Sequence, residues 1–267
     1  MVDMVHPGSR DQDTEADRLA RESAAAFRVA EATPDVGDKA AALREARKLA
    51  GDSALAAAYT YLQRVVGIIA VSLPAAVAIG NILFDGVQLK GSISAYYYTP
   101  VGGVFVGALC ALAVFFLSYN YRPLPNFEAD NVLSTLACVA AVGVALLPTT
   151  SDAATASGSE TAVAVAHLGC AAALFVLMAI FSLVLFTLSD DEEMTAEKAR
   201  RNAVYRACGA VIVAVIALVL ASNVVDPPSS WHTLFWLESV GVVAFGVSWL
   251  VKGFAWPLWA DRPHRGA

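Results

Sequence analysis

An all-α, polytopic membrane protein with six transmembrane helices is the fold class this sequence predicts, and three observations predict it. Of 267 residues, 57% are hydrophobic and only 16% charged, with a mean hydropathy of +0.58; ordinary globular domains carry about 25% charged residues. The apolar residues gather into blocks of about 18–27, the length that a hydrocarbon core about 30 Å thick requires of a helix. Finally, every Lys and Arg except Lys90 falls on one side of six such blocks, the asymmetry that orients membrane proteins with basic loops inside.

Residues 1–58 read as a cytosolic N-terminal segment. Its first part, through about Ser23, is charged and without apolar periodicity, the signature of disorder. Ala24 to Ala32 and Asp38 to Ala58 are rich in strong helix formers, and Thr33-Pro34-Asp35 with Gly37 punctuates them as a turn. One or two short cytosolic helices are expected there. The first sixty residues are polar, so no cleavable signal is expected and the first apolar run is expected to act as an uncleaved signal-anchor.

Six spans follow within a bundle of residues 59–253, placed at about 61–84, 101–121, 131–148, 162–188, 204–224 and 234–252, with a cytosolic tail at 254–267. Pro74 lies inside the first span, where neighbouring helices tolerate it. The connections are short and rich in turn formers, among them Asp85-Gly86, Arg122-Pro123 and Asp226-Pro227-Pro228. Both termini are expected in the cytoplasm of a bacterial inner membrane. Trp231, Trp236, Trp249, Trp256 and Trp259 gather near the ends of the last span, as interfacial anchors do.

The net charge of −6 offers no basic footprint for nucleic acid. Cys110, Cys138, Cys170 and Cys208 lie in or beside apolar blocks without metal-ligand spacing, so neither a disulfide framework nor a metal or other cofactor is expected. The expected partners are membrane lipids, and a second copy of the chain through Gly103 and Gly107, a GxxxG pair that permits close helix approach.

Ionisable residues inside a membrane are expensive and invite a functional reading. His167 in the fourth span and Glu238 in the sixth fall at a similar shallow depth below the outer surface, and a hydrogen bond between them would tie two helices. Asn81, Ser94, Tyr96, Tyr97, Tyr98 and His232 share that face, with Ser92, Thr99 and Asp226 nearby. Asn81, Ser94, Tyr96, Tyr97, Tyr98, His167, His232 and Glu238 are therefore the candidate ligand-binding residues. On the inner face, Glu128 and Asp130 open a helix, Arg64 and Arg206 sit at helix ends, and the acidic run 190–193 reads as a solvated loop.

Ser92-Ile-Ser-Ala-Tyr-Tyr-Tyr-Thr99, Val104-Phe-Val-Gly-Ala-Leu-Cys110, Phe235-Trp-Leu-Glu238 and the stretch 244–253 resemble a group of uncharacterised bacterial multi-pass membrane proteins. The six-span plan is distantly similar to the Frag1/DRAM/Sfk1 class. The resemblance implies an inner-membrane protein and supplies no catalytic residues.

Three functions are compatible with this pattern. The leading one is a non-enzymatic bundle binding a lipid, small ligand or partner protein at its outer face. A membrane-embedded hydrolase would use His167, His232 and Asp226 or Glu238 around a metal, or a nucleophilic Ser94; no G-x-S-x-G or HExxH accompanies them. A transporter or channel ranks last, because the spans carry few polar residues and no inverted repeat.

Overall fold

The structure is a computed structural model and describes residues 15–86, 89–119, 127–149, 158–188, 196–225, 228 and 231–254. Asp226, Arg122, the run 190–193, Trp256 and Trp259 lie outside these residues, as do the side chains of Glu128 and Asp130.

The chain opens with α1 (Glu15–Ala32) and a 50-residue helix, α2 (Val36–Asp85). At their junction Thr33 Oγ1 donates to the Val29 carbonyl at 2.9 Å. Asp35 caps α2, its Oδ1 accepting from the Gly37 and Asp38 amides at 2.8 and 3.0 Å and satisfying two donors that a helix start leaves open. Beyond the first turn of α2 the only helix breaker before Tyr61 is Gly51, which costs about 1 kcal/mol relative to Ala and is flanked by strong formers. The expected cytosolic helix and the first span are therefore one rod, about 75 Å long at 1.5 Å per residue, which continues through Pro74. Helix α1 begins at Glu15, ahead of the Ala24 start that composition suggests, and packs back along α2. Ser23, Ala30 and Ala46 are buried in the two helices.

Five helices complete the fold: α3 (Gly102–Tyr119), α4 (Phe127–Leu146), α5 (Gly158–Ile180), α6 (Ala196–Val225) and α7 (Thr233–Gly253). Helix α5 widens into a π-helical turn over Phe181–Leu185. Among the described residues there is no strand. From α2 onward each helix packs on its successor, and α7 packs on α2, closing a ring of six. Helices α2, α5 with its π turn, α6 and α7 are long and apolar enough to cross a membrane, whereas α3 and α4 contribute shorter apolar helices.

Two features hold the ring together. Near its α1 end, Phe116, Phe181, Phe186, Phe245 and Trp249 interlock with ring centroids 5.0 to 6.3 Å apart, the range of favourable edge and tilted contacts. Along the α2–α7 seam, Gly67 and Gly246 face one another. A methyl on Gly67 would lie 2.6 Å from Leu250 Cγ and 2.9 Å from the Gly246 carbonyl oxygen, and one on Gly246 would lie 2.9 Å from the Gly67 carbonyl oxygen. Gly103 and Gly107, singled out by the GxxxG pattern, have no heavy atom within 4 Å of an added Cβ. Close packing inside the chain runs through glycines the motif does not mark.

Candidate functional site at the distal end

The α2–α3, α4–α5 and α6–α7 connections meet at one end of the ring, called distal here because α1 packs at the other. After Gly86, whose φ of 88° needs a residue without Cβ, the chain enters a segment that includes the 3-10 turn Ser94–Tyr98. Ser92 starts this turn in the manner of a cap: its Oγ accepts from the Ala95 amide at 3.1 Å and lies 3.2 Å from Ser94 Oγ. Thr99 ends it, with its hydroxyl and its amide both donating to the Tyr96 carbonyl at 2.7 and 3.0 Å. Gly102 sits directly on the Tyr97 carbonyl, where a Cβ has no room, so α3 starts flush against the turn.

Helix α7 holds one side of this segment. Glu238 Oε2 accepts from the Ile93 amide at 2.6 Å, and the Phe235 amide donates to the Gly91 carbonyl at 2.9 Å. Tyr96 is fully buried on the same side, its ring 5.9 Å from Phe235 and its Oη accepting from the Lys90 amide at 3.3 Å. Lys90 is in turn 3.9 Å from the Asp85 carboxylate.

The α4–α5 connection holds the other side. Tyr98 stacks edge-on against Tyr97 at 5.1 Å and donates its hydroxyl to the Thr149 carbonyl. Partial desolvation, then the Tyr97 phenol and the Glu160 carboxylate, raise the Tyr98 pKa above the ordinary tyrosine value. Two residues before Thr149, the Leu147 carbonyl accepts a hydrogen bond of 2.7 Å from buried His167. A carbonyl only accepts, so the proton of His167 resides on Nδ1.

The expected bond between His167 and Glu238 is not formed: each secures a backbone group of a different connection. Linked through Ile93, the 3-10 turn, Tyr98 and Thr149, they are the two ends of one belt across the distal end. Asn81 is fully buried in α2. His232 precedes α7 in a left-handed conformation (φ 48°, ψ 40°), and its buried Nδ1 has no hydrogen-bond partner among the described residues.

These placements bear on the hydrolase alternative. Ser94 pairs with Ser92 and with neither histidine. Among the described residues no three His, Cys, Asp or Glu side chains group as metal ligands, so His167, His232 and Glu238 do not make a two-His, one-carboxylate site. Sequence reasoning found the side chains of the belt but missed their partners, the backbone groups of Gly91, Ile93, Leu147 and Thr149. Backbone donors and acceptors carry no residue signature; the Ser92-x-Ser94 and Thr99-Pro100 patterns were the only signal that the segment folds into a defined turn.

No protein-family model, curated protein or solved structure matches the chain.

Proposed function

We propose that the chain is a six-span integral membrane protein of the bacterial inner membrane, both termini cytoplasmic, which binds a lipid, small ligand or partner protein at its outer, distal face. The apolar stretches of α3 and α4, Gly102–Ser118 and Asn131–Leu146, extend about 26 and 24 Å, a few ångströms short of a core about 30 Å thick, a mismatch that local thinning of the bilayer accommodates at modest cost. They also turn Val114, Leu117, Val132, Leu136 and Val139 outward, which suits contact with acyl chains better than contact with water.

The observation that carries the binding role is a surface locked before any ligand arrives. Tyr98, Trp231 and Trp236 are 51%, 65% and 54% exposed around segments that α5 and α7 pin by side chain-to-backbone bonds. Preorganised aromatics bind with little ordering cost, and amphipathic rings at headgroup level favour a lipid or amphipathic ligand. Gly103 and Gly107 add an open helical face for a second copy of the chain.

Native mass spectrometry of the detergent-purified chain tests the binding role. A lipid or small organic mass retained by wild type and lost in Trp236→Ala or Tyr98→Ala is the expected result. Bare wild-type protein, or equal retention in all three, contradicts it.

A further inference from the structure

At the opposite end of the α2–α7 seam, Arg64 is held in an unusual way. Its Nε donates to the Gly253 carbonyl at 2.6 Å, and its Cζ lies 4.8 Å from the Phe254 ring centroid. One donor and one face of the guanidinium are therefore engaged, and the plane is fixed. Arginine carries five N–H donors. The four on its two terminal nitrogens have no acceptor, and no carboxylate lies within ion-pair distance of Arg64, among the described residues.

Gly253 makes this placement possible. An added Cβ there would lie 2.8 Å from the Arg64 backbone nitrogen, 3.0 Å from Arg64 Cγ and 3.0 Å from Gln63 Cβ. The C-terminus of α7 thus fits against α2 at residues 63–64. Gln63 is 8% exposed as a residue, but its amide is not sealed from solvent and makes no hydrogen bond among the described residues. An open amide beside the guanidinium can donate to the same anion. Lys252, beside Gly253, extends its Nζ over the Phe186 ring at 4.8 Å and adds a second cation.

Depth fixes the chemistry. No charged residue lies between Arg64 and Asp85, an interval of about 30 Å along the helix that matches the hydrocarbon core. Arg64 therefore sits at headgroup level, where phosphates lie. An outward guanidinium fork with a neighbouring cation and an amide donor suits a phosphate oxyanion. We propose that Arg64, Gln63 and Lys252 form a binding site for a phosphate-bearing anion at the proximal membrane interface, with the headgroup of an anionic phospholipid as its source. It is separate from the distal site, so either can fail without the other.

The test uses the full chain in detergent micelles doped with phosphatidylglycerol or phosphatidylcholine, read by native mass spectrometry and lipid-dependent thermal shift. Wild type is expected to retain phosphatidylglycerol over phosphatidylcholine, and Arg64→Gln to bind it about tenfold more weakly, the loss of one charge-assisted contact. Gln63→Leu is expected to weaken it less, whereas Lys90→Gln, a cation at the distal end, leaves it unchanged. If Arg64→Gln does not fold, Arg64→Lys replaces it, keeping the charge without the fork, with loss of the preference still expected. Equal retention of the two lipids by wild type, or a preference untouched by the Arg64 variant, overturns the proposal. Soluble glycerol phosphate retained in lipid-free micelles as tightly as phosphatidylglycerol is in doped ones overturns the lipid source.

Discussion

Removing the Glu238 carboxylate should loosen the distal turn while leaving the ring of helices assembled. Ile93 is 5% exposed and its amide donates to Glu238 Oε2 at 2.6 Å. Glu238→Ala therefore leaves a buried N–H without a partner, at a cost of about 1–3 kcal/mol. Glu238→Gln retains a carbonyl oxygen in the same place and should cost under about 1 kcal/mol. The neighbouring bond from the Phe235 amide to the Gly91 carbonyl survives in both variants, so the loss is local. Because exchange from a locally opened state follows its free energy, the Ile93 amide should exchange about 5- to 150-fold faster in Glu238→Ala, at 1.4 kcal/mol per factor of ten. Protection elsewhere in α7 should change little. Hydrogen–deuterium exchange with peptide coverage of 89–99 measures this directly. Unchanged protection of that peptide in Glu238→Ala would refute the reasoning. Equal loss in Glu238→Gln would show that charge matters there, and not the acceptor.

Other outcomes follow from the same contacts. His167→Ala strands the Leu147 carbonyl and should cost about 1–2 kcal/mol in thermal unfolding, with His167→Gln recovering part because its amide N–H donates; equal stability of the Ala variant and wild type would count against the tie. Gly246→Ala drives a methyl against the Gly67 carbonyl and Val71 and should cost about 1–3 kcal/mol. Gly107→Ala, on an open helical surface, should be neutral or stabilising by up to about 1 kcal/mol, and the reverse order of these two melting temperatures would refute the assigned seam. Tyr98→Phe releases Thr149, so protease should nick the α4–α5 connection faster than in wild type. The folded pKa of Tyr98 is raised, so its tie is fully present below the ordinary tyrosine pKa and is lost as pH rises through the folded value; the wild-type advantage should disappear only at strongly alkaline pH.

How much of this was legible in the residues depends on which physical signal each feature leaves. The six apolar blocks coincide with α2 to α7 because helix formation in such blocks follows directly from composition. Pooling of Asn81, the three tyrosines, His167, His232 and Glu238 at one end was legible for the same reason: position along a span gives depth. Lateral placement was not. Depth cannot say that His167 meets Leu147 while Glu238 meets Ile93, since rotation about each helix axis and the path of each loop decide that. The polar and apolar parts of α2 form one helix, although a change from polar to apolar composition looks like a boundary, because a helix ends only where a breaker or competing cap stops it. Gly67 and Gly246 were overlooked because each acts alone across a seam, and the GxxxG pattern drew attention to Gly103 and Gly107 instead.

The most direct test of the six-span account is the sidedness of the α3–α4 connection. With the four native cysteines replaced, a single cysteine is placed at Arg122, at Trp231 or at Val36, and intact cells are treated with a membrane-impermeant thiol reagent. Trp231→Cys should label from outside and Val36→Cys only after permeabilisation. Six spans put Arg122→Cys inside, protected until the membrane is opened. If α3 and α4 form a hairpin that does not cross, leaving four spans, Arg122→Cys labels in intact cells as readily as Trp231→Cys, and the account is contradicted.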